Sequence, residues 1–482
     1  MYSLEEVKKY ENTAYKQVPI AISLYSDRYT PIEVLRTLKA YERHCFILES
    51  IEDREKWGRY TFIGCDPSLC ISLYNGVLKV DDQIIDENPQ NYIRSIIKEH
   101  YSPKIKDLPS FTGGLVGYFS YDYFKYSEPS LKLDAKDDEG FYDLDIMLFD
   151  TIICFDNYKQ KLLLITNVRL ENVEESYQNA LSKLEFYKGL INSNTKAYIE
   201  PLHLQSEFIP LFDQEQYCAM VQKAKQYIID GDIFQVVLSN RLEAKATGSL
   251  FDTYRILRTT NPSPYMFYFT SQDLEIAGAS PETLVKLEDG ILHTFPLAGT
   301  RKRGKDEKED LALEYDLLHD EKELAEHNML VDLGRNDIGK IAKVGSVEVE
   351  KYMSIERYSH VMHIGSTVRG VIRDDRDAID TIGSILPAGT LSGAPKIRAC
   401  EIINELENNK RGIYGGAIGY IDFSGNLDVC IAIRLAYKKN NKVYARSGAG
   451  IVYDSIPENE HVECINKIKA VTNALEMANG GI

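Results

Sequence analysis

The sequence lacks paired cysteine motifs and long apolar runs. Its eight cysteines are scattered along 482 residues, and none forms a C-x-x-C pair. Scattered thiols are typical of a reducing compartment, so they argue against a disulfide framework and against metal binding by sulfur. No stretch approaches the ~18 uncharged apolar residues of a membrane span, and the N-terminal MYSLEEVKKYENTAY lacks the apolar segment of a signal peptide. We therefore expect a cytoplasmic protein that does not bind a membrane.

Basic residues are also scarce relative to acidic ones. The chain carries 56 Lys and Arg against 73 Asp and Glu, which gives a formal charge of −17. This excess of negative charge argues against nucleic acid as a main partner, and it requires a local basic pocket for any anionic substrate. The composition, 44% hydrophobic and 27% charged, is that of a globular protein with a large core.

Strand-like runs separated by short turns dominate much of the chain. The polar segment 191–209 interrupts this pattern, so we predict a linker there between an N-terminal domain, 1–190, and a C-terminal domain, 210–482. Within the second domain, residues 415–452 have the pattern of a three-strand meander. Short connections between neighbouring strands indicate antiparallel pairing, and helical patterns flank the meander. The predicted class is therefore α+β.

Two pairs of glutamates open apolar helical patterns. Glu323 and Glu326 stand three residues apart in EKELAEHNMLVDLGRND, and Glu460 and Glu463 repeat this spacing near the C-terminus. On a helix, such pairs share one face at about 5–6 Å between Cβ atoms, so one carboxyl takes up a proton unless a cation lies between them. Either pair alone is typical of a solvated first turn that favours the helix dipole. Both pairs together suit a hard divalent cation, and oxygen ligands without thiolates indicate Mg²⁺.

Groups suited to an anion lie between the two pairs. The turn PAGTLSGAPKIRA, 387–399, offers backbone N–H groups together with Thr390 and Lys396. A second turn, RSGAGIV at 446–452, lets backbone approach a ligand closely. Arg434 falls inside a strand pattern, where a charge is costly without a partner such as a carboxylate. Each feature alone has an ordinary explanation as a tight turn or a solvated strand face, but together they suggest a dicarboxylate substrate.

The second half of the chain contains the motifs GDIFQVVLSNR, NPSPYMFYF, GASPE, PLAGTRKRG, EHNMLVDLGRND, VMHIGS, LPAGTLSGAPK, GAIGYIDFSG and GAGIVYDSIPENE. These motifs resemble those of the chorismate-utilising enzymes and, within that family, the large subunits of anthranilate synthases. The N-terminal runs CFILESIEDREKWGRYTFIG and FTGGLVGYFSYD are similar as well, so the resemblance covers nearly the whole chain in order. It implies the fold of that family, α+β with antiparallel sheets in a sandwich-like core and helices outside.

The resemblance assigns roles to individual positions. Glu326 and Glu463 correspond to magnesium ligands, with Glu323 and Glu460 as water-mediated or alternative ligands, and the metal would bind the ring carboxylate of chorismate. The chorismate-binding positions are Gly299, Thr300, Tyr414, Arg434, Gly448, Ala449, Gly450 and Lys467. The positions implied in catalysis are Gln235, Glu282, His363 and Thr390.

The family chemistry is attack of ammonia at ring C2 with loss of the C4 hydroxyl, followed by elimination of pyruvate to give anthranilate. Hydroxide is a poor leaving group, so a general acid should protonate it. Glu282 in GASPE matches the acid proposed for related isochorismate and salicylate synthases. By the same resemblance, His363 is expected to assist proton transfer or to orient the enolpyruvyl group, and Thr390 is expected to line the reacting ring.

Two positions separate the branches of the family. Isochorismate and salicylate synthases carry a lysine at the position of Gln235, where its amine activates water. Aminodeoxychorismate synthases usually carry a nucleophilic lysine at the position of Ala298. Glutamine and alanine therefore favour anthranilate formation over p-aminobenzoate synthesis, the first alternative. Enzymes that stop at aminodeoxyisochorismate share this signature and stay an alternative, as does a catalytically silent, tryptophan-binding regulatory subunit.

The resemblance also implies a partner and an inhibitor. The chain has no G-x-C-x-G glutaminase motif, so a separate glutamine amidotransferase subunit is expected to supply the ammonia. LES and PYM correspond to the family's feedback site for L-tryptophan, and the substitution Ser50→Phe should abolish the inhibition. Their residues are Leu48, Glu49, Ser50, Pro264, Tyr265 and Met266.

Overall fold

The computed structural model describes residues 2–50, 58–193, 195–357 and 361–482, so residues 51–57 of the motif CFILESIEDREKWGRYTFIG lie outside it. The α-helices are α1 Leu4–Lys8, α2 Pro31–Tyr41, α3 Pro89–Glu99, α4 Val173–Asn192, α5 Gln214–Ile229, α6 Phe251–Thr260, α7 Glu307–Leu318, α8 Glu321–Gly339, α9 Ala378–Ile385, α10 Lys396–Glu407 and α11 Pro457–Ala478. None of the helices in these ranges combines the length and the apolar character that a membrane span requires.

The strands follow the alternating and apolar runs of the sequence. They are β1 Gln17–Tyr25, β2 Cys45–Glu49, β3 Tyr60–Cys65, β4 Leu69–Tyr74, β5 Val77–Val80, β6 Gln83–Ile85, β7 Gly114–Phe119, β8 Leu144–Phe149, β9 Thr151–Asp156, β10 Lys161–Arg169, β11 His203–Leu204, β12 Ile209–Pro210, β13 Gln235–Thr247, β14 Tyr265–Ser271, β15 Leu274–Ser280, β16 Thr283–Glu288, β17 Ile291–Thr294, β18 Leu297–Lys302, β19 Glu348–Arg357, β20 Val361–Val371, β21 Gly393–Ala394, β22 Ala417–Asp422, β23 Leu427–Ile431, β24 Leu435–Lys439 and β25 Lys442–Ile451.

These strands form two large sheets. The first has the order β1-β10-β9-β3-β2-β14-β15-β24-β25-β13-β11, with β12 and β21 also paired to β13. The second has the order β18-β20-β17-β16-β23-β22-β7-β8-β4-β5-β6, with β19 paired to β20. The pairings are antiparallel throughout the registers of both sheets, for example β13 with β25 and β7 with β22.

The two sheets pack face to face around an aromatic core. Phe46 of the first sheet meets Phe149 of the second with ring centroids 4.7 Å apart. Helices α2, α4, α6 and α11 cover the outer face of the first sheet, and α3, α8 and α9 cover that of the second. Strands β7, β8 and β9 are buried along their whole length because both faces of their sheets are covered. The predicted α+β class with a sandwich-like core and external helices is confirmed.

Both sheets contain strands from either side of the predicted linker at 191–209. In the first sheet β2 pairs with β14, so that Glu49 lies opposite Met266. In the second sheet β7 pairs with β22. The two parts of the chain therefore share a hydrogen-bonded framework, and residues far apart in sequence are held in fixed register. The division into 1–190 and 210–482 itself stays a prediction.

The prediction of a three-strand meander at 415–452 is wrong at its second strand. The chain leaves the second sheet after Ile431 and enters the first sheet at Leu435, so the run divides into β23 and β24. Arg434 lies at this crossing in the left-handed region, with φ of +50°. A non-glycine residue adopts that conformation only where the surrounding structure compensates its strain. The crossing takes Arg434 out of a strand.

Candidate active site

A cavity of about 680 Å³ opens where the two sheets meet helices α8 and α11. It brings together side chains and backbone from distant parts of the sequence. The predicted site residues that line it are Gln235, Glu282, Gly299, Thr300, Glu323, Glu326, His363, Thr390, Arg434, Gly448, Gly450, Glu460, Glu463 and Lys467. The volume suits a small, drug-sized organic molecule.

The first two turns of helices α8 and α11 form an acidic wall of the cavity, which consists of Glu323, Glu326, Glu460 and Glu463. The Asp320 carboxylate caps α8 by accepting hydrogen bonds from the backbone N–H groups of Lys322 and Glu323, at 3.1 and 3.3 Å. Burial raises the pKa of Glu326, and the charges of Glu323 and then Glu463 raise it further. The predicted repulsion between close carboxylates is therefore present across both helices.

On α11, burial also raises the pKa of Glu460, and the charge of Glu463 adds to that shift. The Lys467 ammonium forms an ion pair with the Glu463 carboxylate at 2.6 Å, and it donates to the carbonyl of Gly448 at 3.3 Å. One cation thus links α11 to strand β25. The acidic wall has more carboxylates than the single charge of Lys467 can neutralise.

Two cations beside the acidic wall were missed by the sequence reasoning. Lys322 lines the cavity, and its charge partly offsets the raised pKa of Glu326. The Arg301 guanidinium lies 3.4 Å from the Glu323 carboxylate, while its other nitrogens contact Asp316 and Asp320. Arg301 follows the motif residues PLAGT, but no local pattern indicated that it folds back toward α8.

Gly299 lies against this wall in a conformation that favours glycine. Its φ is +66°, and a Cβ atom there would come within 3.0 Å of Glu323 Oε2 and 2.9 Å of Leu317 Cδ1. A larger residue would be strained in this backbone conformation and would displace the ends of both side chains. Within the described ranges, no three His, Cys, Asp or Glu side chains converge as a preformed metal cage.

Glu282 lines the cavity from the connection between β15 and β16. It accepts a hydrogen bond of 3.1 Å from the Thr390 hydroxyl, which belongs to a short 3₁₀ turn at Gly389–Leu391. Burial raises the pKa of Glu282 to about 7, against the lowering effects of the Thr390 hydrogen bond and the Arg434 and Lys467 charges. A substantial fraction of this carboxyl is therefore protonated at neutral pH.

His363 reaches the cavity from strand β20. Its Nδ1 lies 2.8 Å from the carbonyl oxygen of Gly299 and 3.1 Å from the hydroxyl of Thr300. An N–H at Nδ1 donates to that carbonyl, which fixes the tautomer and the ring orientation. Burial lowers the pKa of His363, so the ring is mainly neutral at pH 7. Of the two groups, Glu282 is the better proton donor.

Arg434 presents an exposed side chain to the cavity from the crossing between the sheets. In the part of the chain that the structure describes, its guanidinium makes no side-chain hydrogen bond or ion pair, although the charge of Glu282 acts on it. A guanidinium has five N–H donors in a planar fork that matches a carboxylate. This arrangement is suited to an anionic ligand that enters the cavity.

Gln235 and Ala298 both line the cavity. The Gln235 side chain is buried, its Oε1 has no hydrogen-bond partner among the described residues, and its Nε2 would lie 2.7 Å from a Cβ at Gly450. Glycine at 450 therefore makes room for this amide. Neither a glutamine nor an alanine can act as a strong base or as a nucleophile, so the cavity has no activated protein amine at these two positions.

Three predicted or suggested anion-binding residues do not line the cavity. Ala449 is buried within strand β25. The Tyr414 hydroxyl lies close to Gly448, 3.2 Å from where a Cβ at that glycine would be. The suggestion that Lys396 receives a substrate anion is wrong. Its ammonium is buried, pairs with Asp337 at 2.6 Å and donates to the carbonyl of Ile385 at 2.7 Å. Those contacts use its charge inside the protein.

A second, smaller cavity of about 90 Å³ lies between LES and PYM. The pairing of β2 with β14 brings these motifs together, and the lining includes Leu48, Glu49, Ser50, Pro264, Tyr265 and Met266. The buried Glu49 carboxylate accepts hydrogen bonds from the Tyr254 hydroxyl and the Arg258 guanidinium. Pro264 lines both cavities, so one loop separates them.

Comparison with known proteins identifies the family of the chain. Residues 43–473 match the family model described as chorismate binding enzyme. Anthranilate synthase component 1 of Acetivibrio thermocellus is 45% identical over 489 aligned positions, which cover 99% of this chain and 98% of that protein. The corresponding protein of Aquifex aeolicus is 43% identical, with 99% and 98% covered. The resemblance predicted from the motifs is confirmed.

Two solved structures are also similar to this chain. The crystal structure of anthranilate synthase component I from Streptococcus pneumoniae matches with a TM-score of 0.75 and 41% identity, over 88% of this chain and 93% of that one. The menaquinone-specific isochorismate synthase of Escherichia coli matches with a TM-score of 0.71 over 98% of both chains, at 19% identity. The second likeness concerns the fold alone.

Proposed function

The chain belongs to the family of chorismate binding enzymes, and we propose that it is the chorismate-converting component of an anthranilate synthase, a lyase. The observation that carries the proposal is the composition of the large cavity. An accessible guanidinium, a protonatable carboxyl and an acidic wall face one another there, while Gln235 and Ala298 provide no nucleophile. Such a site binds an anionic substrate and leaves the nucleophile to be supplied as ammonia.

Substrate binding follows from the charges of the cavity. Arg434 binds one carboxylate of chorismate through its planar fork. The Lys467 ammonium and the backbone at Gly448 and Gly450 support the bound molecule on the β25 side. Tyr414 contributes through its hydroxyl, which lies close to Gly448.

Glu282 acts as the general acid. Ammonia forms a bond to ring C2, the ring double bonds shift, and the C4–O bond breaks. The departing oxygen takes the proton of Glu282 and leaves as water, while the added nitrogen loses one proton. Loss of the C2 proton and cleavage of the ether bond then release pyruvate. Neutral His363, fixed by Gly299, orients the enolpyruvyl group.

The donor set fits Mg²⁺, which Glu326 and Glu463 would hold, with Glu323 and Glu460 through water or as alternatives. Burial and, to a smaller extent, neighbouring carboxylates raise the pKa values of Glu326 and Glu460, and a cation bound there would stabilise their ionised forms. Magnesium typically takes one or two carboxylates directly and keeps several waters, which agrees with a site that is no preformed cage. When bound, the ion neutralises the substrate's ring carboxylate and the acidic wall.

The ammonia source is a separate glutamine amidotransferase subunit. Its relatives are component 1 of anthranilate synthases, which implies a further component, and the chain has no glutaminase motif of its own. All eight cysteines are free thiols, which agrees with a cytoplasmic enzyme. We expect the isolated chain to use ammonium salts and to require the partner before it can use glutamine.

The small cavity at LES and PYM is proposed as the feedback site for L-tryptophan. Its aromatic and apolar lining suits an indole, and Pro264 connects it to the catalytic cavity. We predict that millimolar-order tryptophan inhibits the enzyme and that Ser50→Phe abolishes the inhibition, because the phenyl ring fills the space. Activity titrations with tryptophan test this, with Ser50→Ala as the volume control. Wild-type activity that ignores tryptophan would contradict the assignment.

The function is tested with the purified chain, chorismate, MgCl₂ and an ammonium salt at mildly alkaline pH. Anthranilate fluorescence and pyruvate should rise together, disappear with EDTA, and stay absent when glutamine replaces ammonium. An amino-dienyl product without pyruvate would contradict the proposal and move the chain to the aminodeoxychorismate or aminodeoxyisochorismate branch.

A further inference from the structure

A cluster of three buried charges lies against strand β13, part of which lines the catalytic cavity. It consists of Glu407 at the end of α10, Arg411 in the following loop, and Arg446 on β25, and each is at most 2% exposed. We call it the buried charge cluster. The Glu407 carboxylate accepts from Arg411 Nε at 3.0 Å and from Arg446 Nη2 at 2.9 Å. It also accepts from the backbone N–H of Ser239 at 2.7 Å.

The two arginines of this cluster differ in what else they hold. Arg446 donates to the Ser239 hydroxyl at 2.9 Å, to Asn409 Oδ1 at 2.9 Å and to the Lys410 carbonyl at 3.0 Å, all away from the cavity. Arg411 donates instead to the carbonyl of Leu391 at 2.6 Å and to that of Val237 at 2.7 Å. Both arginines therefore reach β13, Arg446 at Ser239 and Arg411 at Val237, but of the two only Arg411 donates to the turn that carries Thr390.

Both carbonyls belong to functional segments. Leu391 directly follows Thr390, whose hydroxyl donates to Glu282. Val237 lines the cavity and lies two residues after Gln235 on β13. The Arg411 guanidinium also lies over the rings of Tyr121 and Tyr414, at 4.7 and 5.9 Å from their centroids. The buried Arg411 side chain thus contacts the turn of Thr390, strand β13 and the ring of Tyr414.

The chemistry of these contacts requires a guanidinium. A buried carbonyl without a donor is costly, and two carbonyls and a carboxylate converge here from different elements. Arginine alone offers five N–H donors in a fixed plane, whereas lysine offers a compact ammonium that cannot span the same acceptors. The cost of burying Arg411 is offset by Glu407, which two arginines share.

We propose that Arg411 is a positioning residue of the catalytic site, because it fixes the Thr390 turn and strand β13 from behind and so holds the Thr390 hydroxyl on Glu282. This inference rests on the proposed role of Glu282 as the general acid. Arg411 does not touch the substrate. Its effect passes through the backbone of Leu391, the residue that follows Thr390 in the turn.

The test is the pH profile of kcat for Arg411→Lys, measured with chorismate saturating and with the concentration of free NH₃ held constant at every pH. Displacement of a catalytic group by about 1 Å costs on the order of a hundredfold, so we expect kcat to fall roughly ten- to a hundredfold. The Thr390 hydrogen bond lowers the pKa of Glu282, with Arg434 and Lys467 as the other charged groups facing it. When the bond is lost, the alkaline limb should move to higher pH.

Two comparisons separate positioning from general loss of stability. Thr390→Val should move the alkaline limb in the same direction, and the double variant with Arg411→Lys should move it no further. Arg446→Lys is the matched control, because it alters the same buried charge cluster without a contact to Leu391 or Val237. It should leave the alkaline limb where the wild type has it.

If Arg411→Lys does not fold, Arg411→Gln carries the same test, because it leaves Glu407 paired with Arg446. An unchanged kcat and alkaline limb in the folded variant would overturn the inference, and so would an equal shift in Arg446→Lys. If the wild type makes no anthranilate, the proposed function is wrong. The wild-type measurement therefore distinguishes failure of the proposed function from failure of the inference about Arg411.

Discussion

The acidic wall of the cavity and the buried charge cluster place carboxylates in opposite electrostatic surroundings. Glu326 lies near Glu323 and Glu463, and burial together with these like charges raises its pKa. Glu407 is more deeply buried, yet Arg411 and Arg446 hold its pKa below the usual range despite the cost of burial. The first group has an excess of negative charge, whereas every oxygen of the second has a partner.

This difference separates a site that waits for a ligand from one that maintains the fold. Paired buried charges are costly to break but gain little from an added ion. Crowded carboxylates are unfavourable alone and gain from a cation that binds between them. Substitution of a glutamate should therefore affect stability in the cluster and affect catalysis in the wall.

The largest effect on stability is expected for Glu407→Gln. The change leaves two buried arginines without a carboxylate, and breaking a buried pair in this way costs about 3–5 kcal/mol of unfolding free energy. Urea unfolding of the purified variant measures it. Glu463→Gln, in the half-exposed part of the acidic wall, is the matched control and should change stability by no more than about 0.5 kcal/mol. Equal stabilities of the two variants would contradict the comparison.

Glu326→Gln should have the opposite effect, a large loss of turnover with little or no loss of stability. Removing one of the crowded charges should leave thermal stability without magnesium unchanged or higher, while turnover falls roughly a hundredfold or more because the metal site loses a ligand. Calorimetry with and without MgCl₂ and steady-state assays measure both. Magnesium should raise the Tm of the wild type and not that of the variant. A fully active variant would refute the metal assignment.

A smaller effect is expected in the dependence of kcat on pH. Glu282 combines both kinds of surroundings, since burial raises its pKa to about 7 while Thr390, Arg434 and Lys467 act in the other direction. The general acid must be protonated, so kcat at constant free NH₃ should fall as pH rises above about 7. Glu282→Gln should remove this limb and leave a low, flat profile. A limb that persists in the variant would assign the titration to another group.

Much of the fold could be predicted because it depends on local patterns. The N-G turn between β4 and β5 and the helices that begin at Glu321 and Pro457 follow from turn chemistry and apolar periodicity, both visible in short windows. The i, i+3 spacing of the glutamates likewise predicted a shared helix face. The crossing at Arg434 was missed because an apolar run does not indicate which of two sheets each half joins.

The sequence by itself determined the α+β class, the motifs of the chorismate binding enzymes and the two acidic pairs, since each depends on residue type and spacing along the chain. Tertiary structure alone decided that Lys396 pairs with Asp337, that Arg301 reaches Glu323, and that Arg411 holds the turn of Thr390. These contacts depend on how distant segments pack. A charged side chain acquires its role from the partners that packing places within hydrogen-bond distance.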